Sequence, residues 1–316
     1  MPITLAEAKA GMVSKIDQAV ADSFRRSSLL LDLLQFDNAV SPGTGGSTLT
    51  YGYLQLKTPS TAAKRTINSE YVPSEAIKEK KTADLAIMGG KFQIDRVIID
   101  TAGSADELGF QAEQKIKATS NLFHNLVING KQATDGFDGL SVLLKGTQNE
   151  FLSAVDISTS AKMDSTGQAL LDELDALALS LDGKASAFLM NRDTLTKVRG
   201  IARRAGYYER TTDSFGNPVE TFNGTPMINL EQFFDGSKSV DVIPTTAGKT
   251  DIYAIRIGLD GFHGVSPTGT KIINSYMPDL TLPSAVKDGE VELVAGVVLK
   301  NTRAAAVLRG VQIKAS

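Results

Sequence analysis

The sequence contains no cysteine and no tryptophan, and only two histidines. The absence of cysteine excludes structural disulfides, thiolate metal sites and cysteine nucleophiles. It is typical of proteins made in a reducing compartment such as a bacterial cytoplasm. Neither histidine, His124 nor His263, is part of an HExxH motif or has a carboxylate at ligand spacing, so the sequence predicts no metal site.

Long apolar runs and clusters of like charge are also missing. The longest apolar runs span a few residues, such as Leu29–Leu31, which is far short of a membrane span. Residues 1–15 lack a basic segment followed by an apolar core, so we expect no signal peptide. The formal net charge is −3 without a basic arm, whereas tight DNA binding requires clustered Lys and Arg. We therefore expect a soluble protein with no membrane partner.

Motifs that carry chemistry are equally scarce. The glycines at 43–46 and the triplet Gly89–Lys91 do not form a phosphate loop, since the triplet lacks the spaced first glycine and is followed by Phe92. We expect these glycines to make turns or bulges. There is no G-x-S-x-G nucleophile elbow. Six aspartates that precede or flank glycines are typical of turns: Asp135, Asp138, Asp182, Asp235, Asp260 and Asp288. The sequence thus predicts no catalytic residue, no cofactor-binding residue and no metal ligand.

Apolar residues at helical spacing predict four helices. The first begins at a capping box of Thr4 and Glu7. The second covers about 104–128, from the capping pair Ser104 and Glu107 to a left-handed cap at Asn129-Gly130. Its apolar face is defined by Ala112, Ile116, Thr119, Phe123 and Val127, with Lys117 off that face. The third is capped by Ser165 and ends at Asp182-Gly183, and the fourth runs from Asn191 to about Ala205 before Gly206.

Strand-like segments occupy much of the remainder. A breaker cluster at Ser41–Ser47 precedes a predicted strand over Leu49–Leu56, and Lys91–Asp100 is a second. The intervening Thr58–Thr82 is too poor in apolar residues to build a core, so it should project as a long hairpin or loop. A short strand covers Ala187–Met190. Beyond the fourth helix, turns separate several strands, at Phe215–Pro218, Asn223-Gly224, Asp235-Gly236, Asp260-Gly261 and Asp288-Gly289, and the last two strands cover about 290–300 and 303–314.

Three segments resemble the major capsid proteins of tailed bacteriophages, the Hong-Kong-97-type capsid family. The first is LAIMGGKFQIDRVIIDT, followed by the second helix and LVINGKQATDGFDGL. The second is AFLMNRDTLTKVRGIARRAGYYERTTDSFGNPVETFNGTPMINL, and the third is DIYAIRIGLDGFHGV. They occur in the family's order from Leu85 to the C-terminus. Lys131 replaces an acidic residue and Phe222 a tyrosine of the family pattern.

The resemblance implies an α+β fold with four parts. These are an N-terminal arm or helix (1–45), an extended loop, the E-loop (46–90), a peripheral domain (91–184 plus 284–316) with a long "spine" helix at about 104–128, and an axial domain (185–283). It also implies a virion shell of pentamers and hexamers, assembled in the host cytoplasm with a scaffolding protein and a portal. Decoration proteins stabilise some such shells. The enclosed double-stranded DNA is not bound sequence-specifically. Because only about 40 residues precede the loop, we expect either a separate scaffolding protein or a chain that has already been proteolytically processed.

Two other functions remain open at this point. An encapsulin-like or prophage-derived shell would carry protein cargo in an internal groove. An unrelated α+β enzyme or binding protein would form a small oligomer with a concave site and perturbed ionisable groups. Some members of the capsid family join a loop lysine to a neighbouring asparagine. No such role can be matched to the loop lysines of this chain, which are expected to be solvated: Lys57, Lys64, Lys78, Lys80 and Lys81.

Overall fold

The computed structural model describes residues 29–37, 49–58, 60–101, 107–206, 209–212, 218–267, 273–276, 278 and 283–315. Four predicted features lie outside these ranges: the helix that begins at Thr4, the cluster Ser41–Ser47, the capping residue Ser104 and the turn at Phe215. Within the described residues the chain has the predicted α+β fold.

Helices and strands alternate irregularly along the described chain. The helices are α1 (Leu29–Leu33), α2 (Arg96–Thr101), α3 (Glu107–Asn129), α4 (Gln132–Asp135), α5 (Leu140–Leu143), α6 (Ser160–Leu179) and α7 (Arg192–Ala205). The strands are β1 (Phe36–Asp37), β2 (Thr50–Thr58), β3 (Ile77–Asp84), β4 (Ala86–Asp95), β5 (Glu150–Leu152), β6 (Ala187–Met190), β7 (Glu209–Thr212), β8 (Pro218–Phe222), β9 (Thr225–Asn229), β10 (Gln232–Phe234), β11 (Ser239–Asp241), β12 (Lys249–Ile255), β13 (Phe262–Val265), β14 (Ile273–Tyr276), β15 (Val286–Leu299) and β16 (Ala305–Gln312).

Two large sheets organise these elements. A seven-stranded sheet has the order β5-β16-β12-β6-β9-β8-β7, and a five-stranded sheet is arranged around the long strand β15, which pairs with β4, β13 and β14. Two separate hairpins, β2–β3 and β10–β11, complete the strand pairing. Both final strands, β15 and β16, were predicted from their apolar alternation, and both are confirmed.

The long helix α3 covers the five-stranded sheet with the predicted apolar face. Phe123 and Val127 are completely buried in a core with Leu293 and Ala295 of β15. The phase of the helix is therefore confirmed. Lys117, predicted to lie off that face, pairs with Glu113 at 3.2 Å, and its side chain is 15% exposed.

A second core forms where α6 and α7 cover the seven-stranded sheet, with Leu170 and Leu174 fully buried. α7 and β6 have nearly the predicted bounds. The Asn191 side chain caps α7 by accepting the Thr194 N–H at 2.9 Å, and Gly206 ends it with a φ of 79°. Left-handed glycine is the common way to end a helix.

The predicted start of α6 was wrong by one turn and a half. The helix begins at Ser160 because the Thr159 hydroxyl accepts the Lys162 N–H at 3.3 Å. Ser165, the predicted cap, instead donates its hydroxyl to the Lys162 carbonyl. Serine and threonine bind local backbone in either setting, so both residues fit the same local signal.

The predicted strand Lys91–Asp100 was also wrong in its second half. β4 extends back to Ala86 and stops at Asp95, and α2 takes the next six residues. The Asp95 carboxylate accepts the Val97 N–H at 2.8 Å, which satisfies a free donor in the first helical turn. Val97, Ile98 and Ile99 are compatible with either a strand or a helix, and the Asp95 cap favours the helix.

Two glycines are sites of close backbone approach rather than the predicted turn, bulge or left-handed cap. Gly89 lies in β4, in unbroken register with β15, where a Cβ atom would be 2.1 Å from the Val291 carbonyl oxygen. Gly130 does not have the predicted left-handed conformation. A Cβ there would be 2.5 Å from the Leu126 carbonyl oxygen.

The predicted turn at Asp288-Gly289 was wrong for the same reason. Both residues lie inside β15, and Gly289 is directly opposite Phe92 of β4. A Cβ at Gly289 would be 2.1 Å from Cζ of the Phe92 ring. The glycine is thus required by packing across the sheet rather than by a turn.

Gly289→Ala should lower the free energy of unfolding by about 1–3 kcal/mol, because the Phe92 ring must move out of a well-packed site. Phe92→Leu in the same chain should recover part of the loss. The matched control is Gly52→Ala in β2, where a Cβ meets only Lys80 Cε at an ordinary 3.6 Å. Urea unfolding monitored by circular dichroism measures all three, and equal stability of both alanine variants would contradict the packing argument.

Candidate functional site

The predicted projection is an antiparallel hairpin formed by β2 and β3, paired from Thr50–Asp84 at its base to Thr58–Ile77. Its base is anchored on one face. Tyr51 and Tyr53 are buried against the core that also contains Phe123. The buried Gln55 side chain donates to the Leu299 carbonyl at 2.8 Å. The alternation predicted for this strand is therefore confirmed, and it fixes the direction in which the hairpin leaves the body.

A polar cluster surrounds the hairpin base. The Tyr51 hydroxyl donates to the Asp37 carboxylate at 2.9 Å, and the Lys300 ammonium lies 5.5 Å from the centre of the Tyr51 ring. Burial raises the pKa of the Tyr51 hydroxyl above its ordinary value, and the bond to Asp37 adds to the shift. The edge of the His263 ring meets the Tyr51 ring at a centroid distance of 6.1 Å. These contacts join β1, β2, β13 and the end of β15 at one point.

Beyond its base the hairpin has no apolar support. Every described residue from 60 to 80 is exposed, and the exposed fraction reaches 91% for Ile67 and 80% for Val72. Large exposed apolar side chains grouped on one segment are typical of surfaces that bind a partner.

The tip of the hairpin nevertheless has local order. Asn68 has a φ of 66°, and the Ser69 N–H donates to the Thr66 carbonyl at 3.2 Å to close a turn. The Arg65 guanidinium lies 5.5 Å from the centre of the Tyr71 ring. Asparagine tolerates the left-handed region better than other residues with a side chain, which suits this turn. The tip therefore presents its side chains from a preformed bend.

Three of the six aspartates predicted at turns accept local backbone N–H groups, and Asp182, Asp260 and Asp288 accept side-chain donors. The Asp235 carboxylate accepts the N–H groups of Ser237 and Lys238, both at 2.9 Å, and these bonds lower its pKa to about 2. Asp135 and Asp138 accept backbone N–H groups of residues 131 and 132. Asp182 and Asp260 instead accept side-chain donors, from Asn301 and Arg256. No group of three or more His, Asp and Glu side chains among the described residues could hold a metal ion.

The two histidines are buried rather than exposed at a cleft. His124 lies on the core side of α3, and burial lowers its pKa to about 4. Burial is also the main cause of the lowered pKa of His263, with the Lys300 charge second. Four of the five loop lysines are exposed, as predicted, whereas Lys81 is partly buried. Lys57 lies 3.8 Å from Glu79 across the hairpin.

Acidification should lower the free energy of unfolding over the pH range in which these buried histidines take up a proton. A histidine whose pKa is lower in the folded than in the unfolded state favours unfolding as it takes up a proton. For His124, with an ordinary value near 6.5, stability is fully present above pH 6.5 and declines down to about pH 4. A shift of this size corresponds to roughly 3 kcal/mol. Urea unfolding at several pH values should show this decline as a slope of the free energy of unfolding against pH, and His124→Gln should reduce that slope. An unchanged slope in that variant would contradict the assignment.

A groove that the sequence did not predict lies between α3 and the β10–β11 hairpin. Its cavity has a volume of about 630 Å³ and is lined on one side by Lys115, Lys117 and Leu122 and on the other by Phe233 and Phe234. The two elements are far apart in sequence, and no local signal indicates that they meet.

None of the described helices is long and apolar enough to span a lipid bilayer.

No protein-family model matches the sequence, and no curated protein matches it. Solved structures do match. An encapsulin shell complex from Synechococcus elongatus shares 17% identity and a TM-score of 0.65 over 98% of this chain and 97% of that chain. The capsid protein of a native GTA particle shares 14% identity and a TM-score of 0.62 over 92% and 91%. A structure of Mycobacterium phage Bobi shares 12% identity and a TM-score of 0.58 over 98% and 99%.

These matches cover more than 90% of both chains in each case. At these identities the likeness concerns the fold. The chain therefore has the Hong-Kong-97-type fold of phage major capsid and encapsulin shell proteins.

Proposed function

We propose that the chain is the major capsid protein of a tailed bacteriophage or prophage. Copies of it assemble into pentamers and hexamers, which close into an icosahedral shell around double-stranded DNA. The observation that carries this proposal is the exposed hairpin from residue 60 to 80, attached through a buried base to a fold shared with capsid proteins. A lone copy leaves Ile67, Tyr71 and Val72 in water, whereas a neighbouring copy can cover them.

The proposed parts follow the chain. Residues 1–45 form an N-terminal arm, the β2–β3 hairpin is the E-loop, residues 91–184 and 284–316 form the peripheral domain, and residues 185–283 form the axial domain. α3 is the spine helix. Because Ala86–Asp95 pairs with β15 over ten residues, we shorten the proposed E-loop from 46–90 to 46–84 and begin the peripheral domain at residue 86.

The physical design suits a shell. Each subunit must contact several neighbours, and many weak contacts add through multivalency to a stable particle. The hairpin offers exposed strand edges, and strand pairing between chains provides directional backbone hydrogen bonds. The buried base keeps the start of the hairpin in one position on the subunit, while the tip adapts to rings of five and of six subunits.

The proposal extends to partners and location. The subunit performs no catalysis and binds no metal or cofactor. A separate scaffolding protein and a portal act during assembly in the bacterial cytoplasm, and the mature protein resides in the virion. DNA contacts are weak and independent of sequence, because the net charge of −3 leaves few phosphates to neutralise.

Sedimentation velocity of the purified full chain tests the proposal. We expect pentamers, hexamers and much larger particles in place of the 33.6 kDa monomer, and no turnover in hydrolase or nucleotide assays. A stable dimer with measurable turnover would overturn the proposal.

An encapsulin-like compartment is the second candidate, and the likeness to the Synechococcus elongatus encapsulin complex favours it. The two functions differ in contents. A phage shell gene lies beside portal and terminase genes, whereas a compartment gene lies beside a gene for its enclosed protein. Sequencing the flanking genes separates them.

A further inference from the structure

His263 occupies an unusual place at the base of the β2–β3 hairpin. Its side chain is completely buried, and neither ring nitrogen makes a hydrogen bond of ordinary geometry with a described residue. Buried polar groups almost always have a partner, so each exception calls for an explanation. The ring instead contacts the Tyr51 ring at a centroid distance of 6.1 Å. His263 is therefore held as a neutral ring against the strand that begins the hairpin.

The ionisable groups that face this ring are already engaged. They come from four elements: Asp37 of β1, Tyr51 of β2, Lys300 at the end of β15, and Asp260 in the turn before β13. The Asp37 carboxylate accepts the Tyr51 hydroxyl at 2.9 Å and lies 4.0 Å from the Lys300 ammonium. The Asp260 carboxylate accepts the Arg256 guanidinium at 3.0 Å. A protonated His263 would thus compete for carboxylates that other donors hold.

We propose that His263 makes the hairpin base an acid-released hinge. Uptake of one proton converts the ring to an imidazolium with two N–H donors, and Asp37 is the carboxylate that it draws away from Tyr51. The Tyr51 hydroxyl is then buried without its acceptor, and the Lys300 charge repels the new cation. Both effects favour movement of β2 away from β13. The released hairpin keeps its own strand pairing and changes its direction relative to the body.

Linkage gives the sign of the effect. In the anchored state, burial and then the Lys300 charge lower the pKa of His263 below its ordinary 6.5. In the released state the ring reaches water and regains that value. The released state therefore binds more protons below pH 6.5, and its population rises by up to about tenfold per pH unit until the lowered pKa is reached. Above that range both states hold a neutral ring, so the hinge stays closed.

The hinge belongs to the single subunit. Its base is formed by residues of one chain, with Gln55 of β2 also donating to the Leu299 carbonyl beside Lys300. It therefore does not require the proposed shell function. In a shell, the same hinge would let acidity change the direction of every hairpin, and this consequence alone rests on the proposed function.

Two spin labels can follow the hinge, because the chain has no native cysteine. Lys78→Cys on β3 and Leu179→Cys at the end of α6 are exposed positions on the hairpin and on the body. Labelled chains are diluted with unlabelled ones, and pulsed electron paramagnetic resonance measures the distance between the labels. From about pH 7.5 to about pH 5.5, the population with a changed distance should rise up to about tenfold, with unchanged circular dichroism. The same distance distribution at both pH values would overturn the proposal.

The two histidines provide a matched pair of variants in the labelled chain. His263→Gln puts a polar side chain that takes up no proton at the hinge, so the rise should fall below about twofold. His124→Gln, at the other buried histidine, should leave the rise as in the wild type. A full response in the His263 variant, or its loss in the His124 variant, would assign the movement to another group.

Lys300 keeps the proposal testable if His263→Gln folds poorly. Lys300→Gln removes a charge that opposes protonation of His263, so the rise should drop to about half or less. Lys300→Arg retains the charge and should retain the response. Equal responses of these two variants would contradict the role of Lys300. Assembly is read separately by sedimentation, so a chain that forms no particles can still show the hinge, and particles can form from a chain that lacks it.

Discussion

Phe123→Asp should abolish folding of the subunit. The Phe123 ring is completely buried, with its centre 6.4 Å from that of Phe36. Truncating a buried phenylalanine costs about 3–5 kcal/mol. An unpaired carboxylate at the same place adds several kcal/mol or must take up a proton. The sum is comparable to the whole stability of a typical domain, about 5–15 kcal/mol.

Phe110→Asp is the matched control, because it is the same substitution on the same helix at a position that is 43% exposed. An aspartate in the first turn of a helix also interacts favourably with the helix dipole. We expect the Phe123 variant in the insoluble fraction and the Phe110 variant with nearly wild-type circular dichroism and urea midpoint. A Phe123 variant as stable as the wild type would show that the core around α3 is wrongly described.

Removing the hairpin tip should leave a folded subunit that cannot assemble. Thr58 and Ile77 are the last pair of the hairpin ladder, so residues 59–76 can be replaced by Asn-Gly, which favours a two-residue hairpin turn. The buried base, with Tyr51 and Tyr53, stays intact. The body should therefore keep its stability, while every contact that the tip makes with a neighbour is lost.

The comparison needs both a stability and an assembly measurement. The shortened chain should unfold in urea within about 1 kcal/mol of the wild type, since every described residue that it loses is exposed, yet sediment as a monomer or small oligomer. A full-length control with Ala62→Ser and Ala63→Ser, two exposed tip positions, should assemble normally. Normal particles from the shortened chain would show that the hairpin tip makes no necessary contact between subunits.

Elements defined by local chemistry were predictable from the sequence. α7 has a capping asparagine, an apolar stripe and a terminal glycine within sixteen residues, and its bounds were predicted to within one residue. The exposed hairpin was predictable because a segment with few apolar residues cannot bury itself. The apolar face of α3 followed from spacing alone, even though it also buries His124 and Ser120.

Features that depend on distant partners were not predictable. Gly289 was interpreted as part of a turn because the phenylalanine that excludes its side chain is far away in sequence, on β4. The groove was missed for a similar reason: Lys115 and Phe234 become neighbours only when the β10–β11 hairpin packs beside α3. The start of α6 shows a different limit, since Thr159 and Ser165 both carry a hydroxyl that can bind local backbone.

Electron microscopy of the purified full-length protein tests the central claim most directly. The account predicts closed particles or tubes built from rings of five and six subunits, with each hairpin tip lying on an adjacent subunit. Class averages that show only a small, uniform oligomer with solvent around every hairpin, at any concentration or ionic strength, would contradict it.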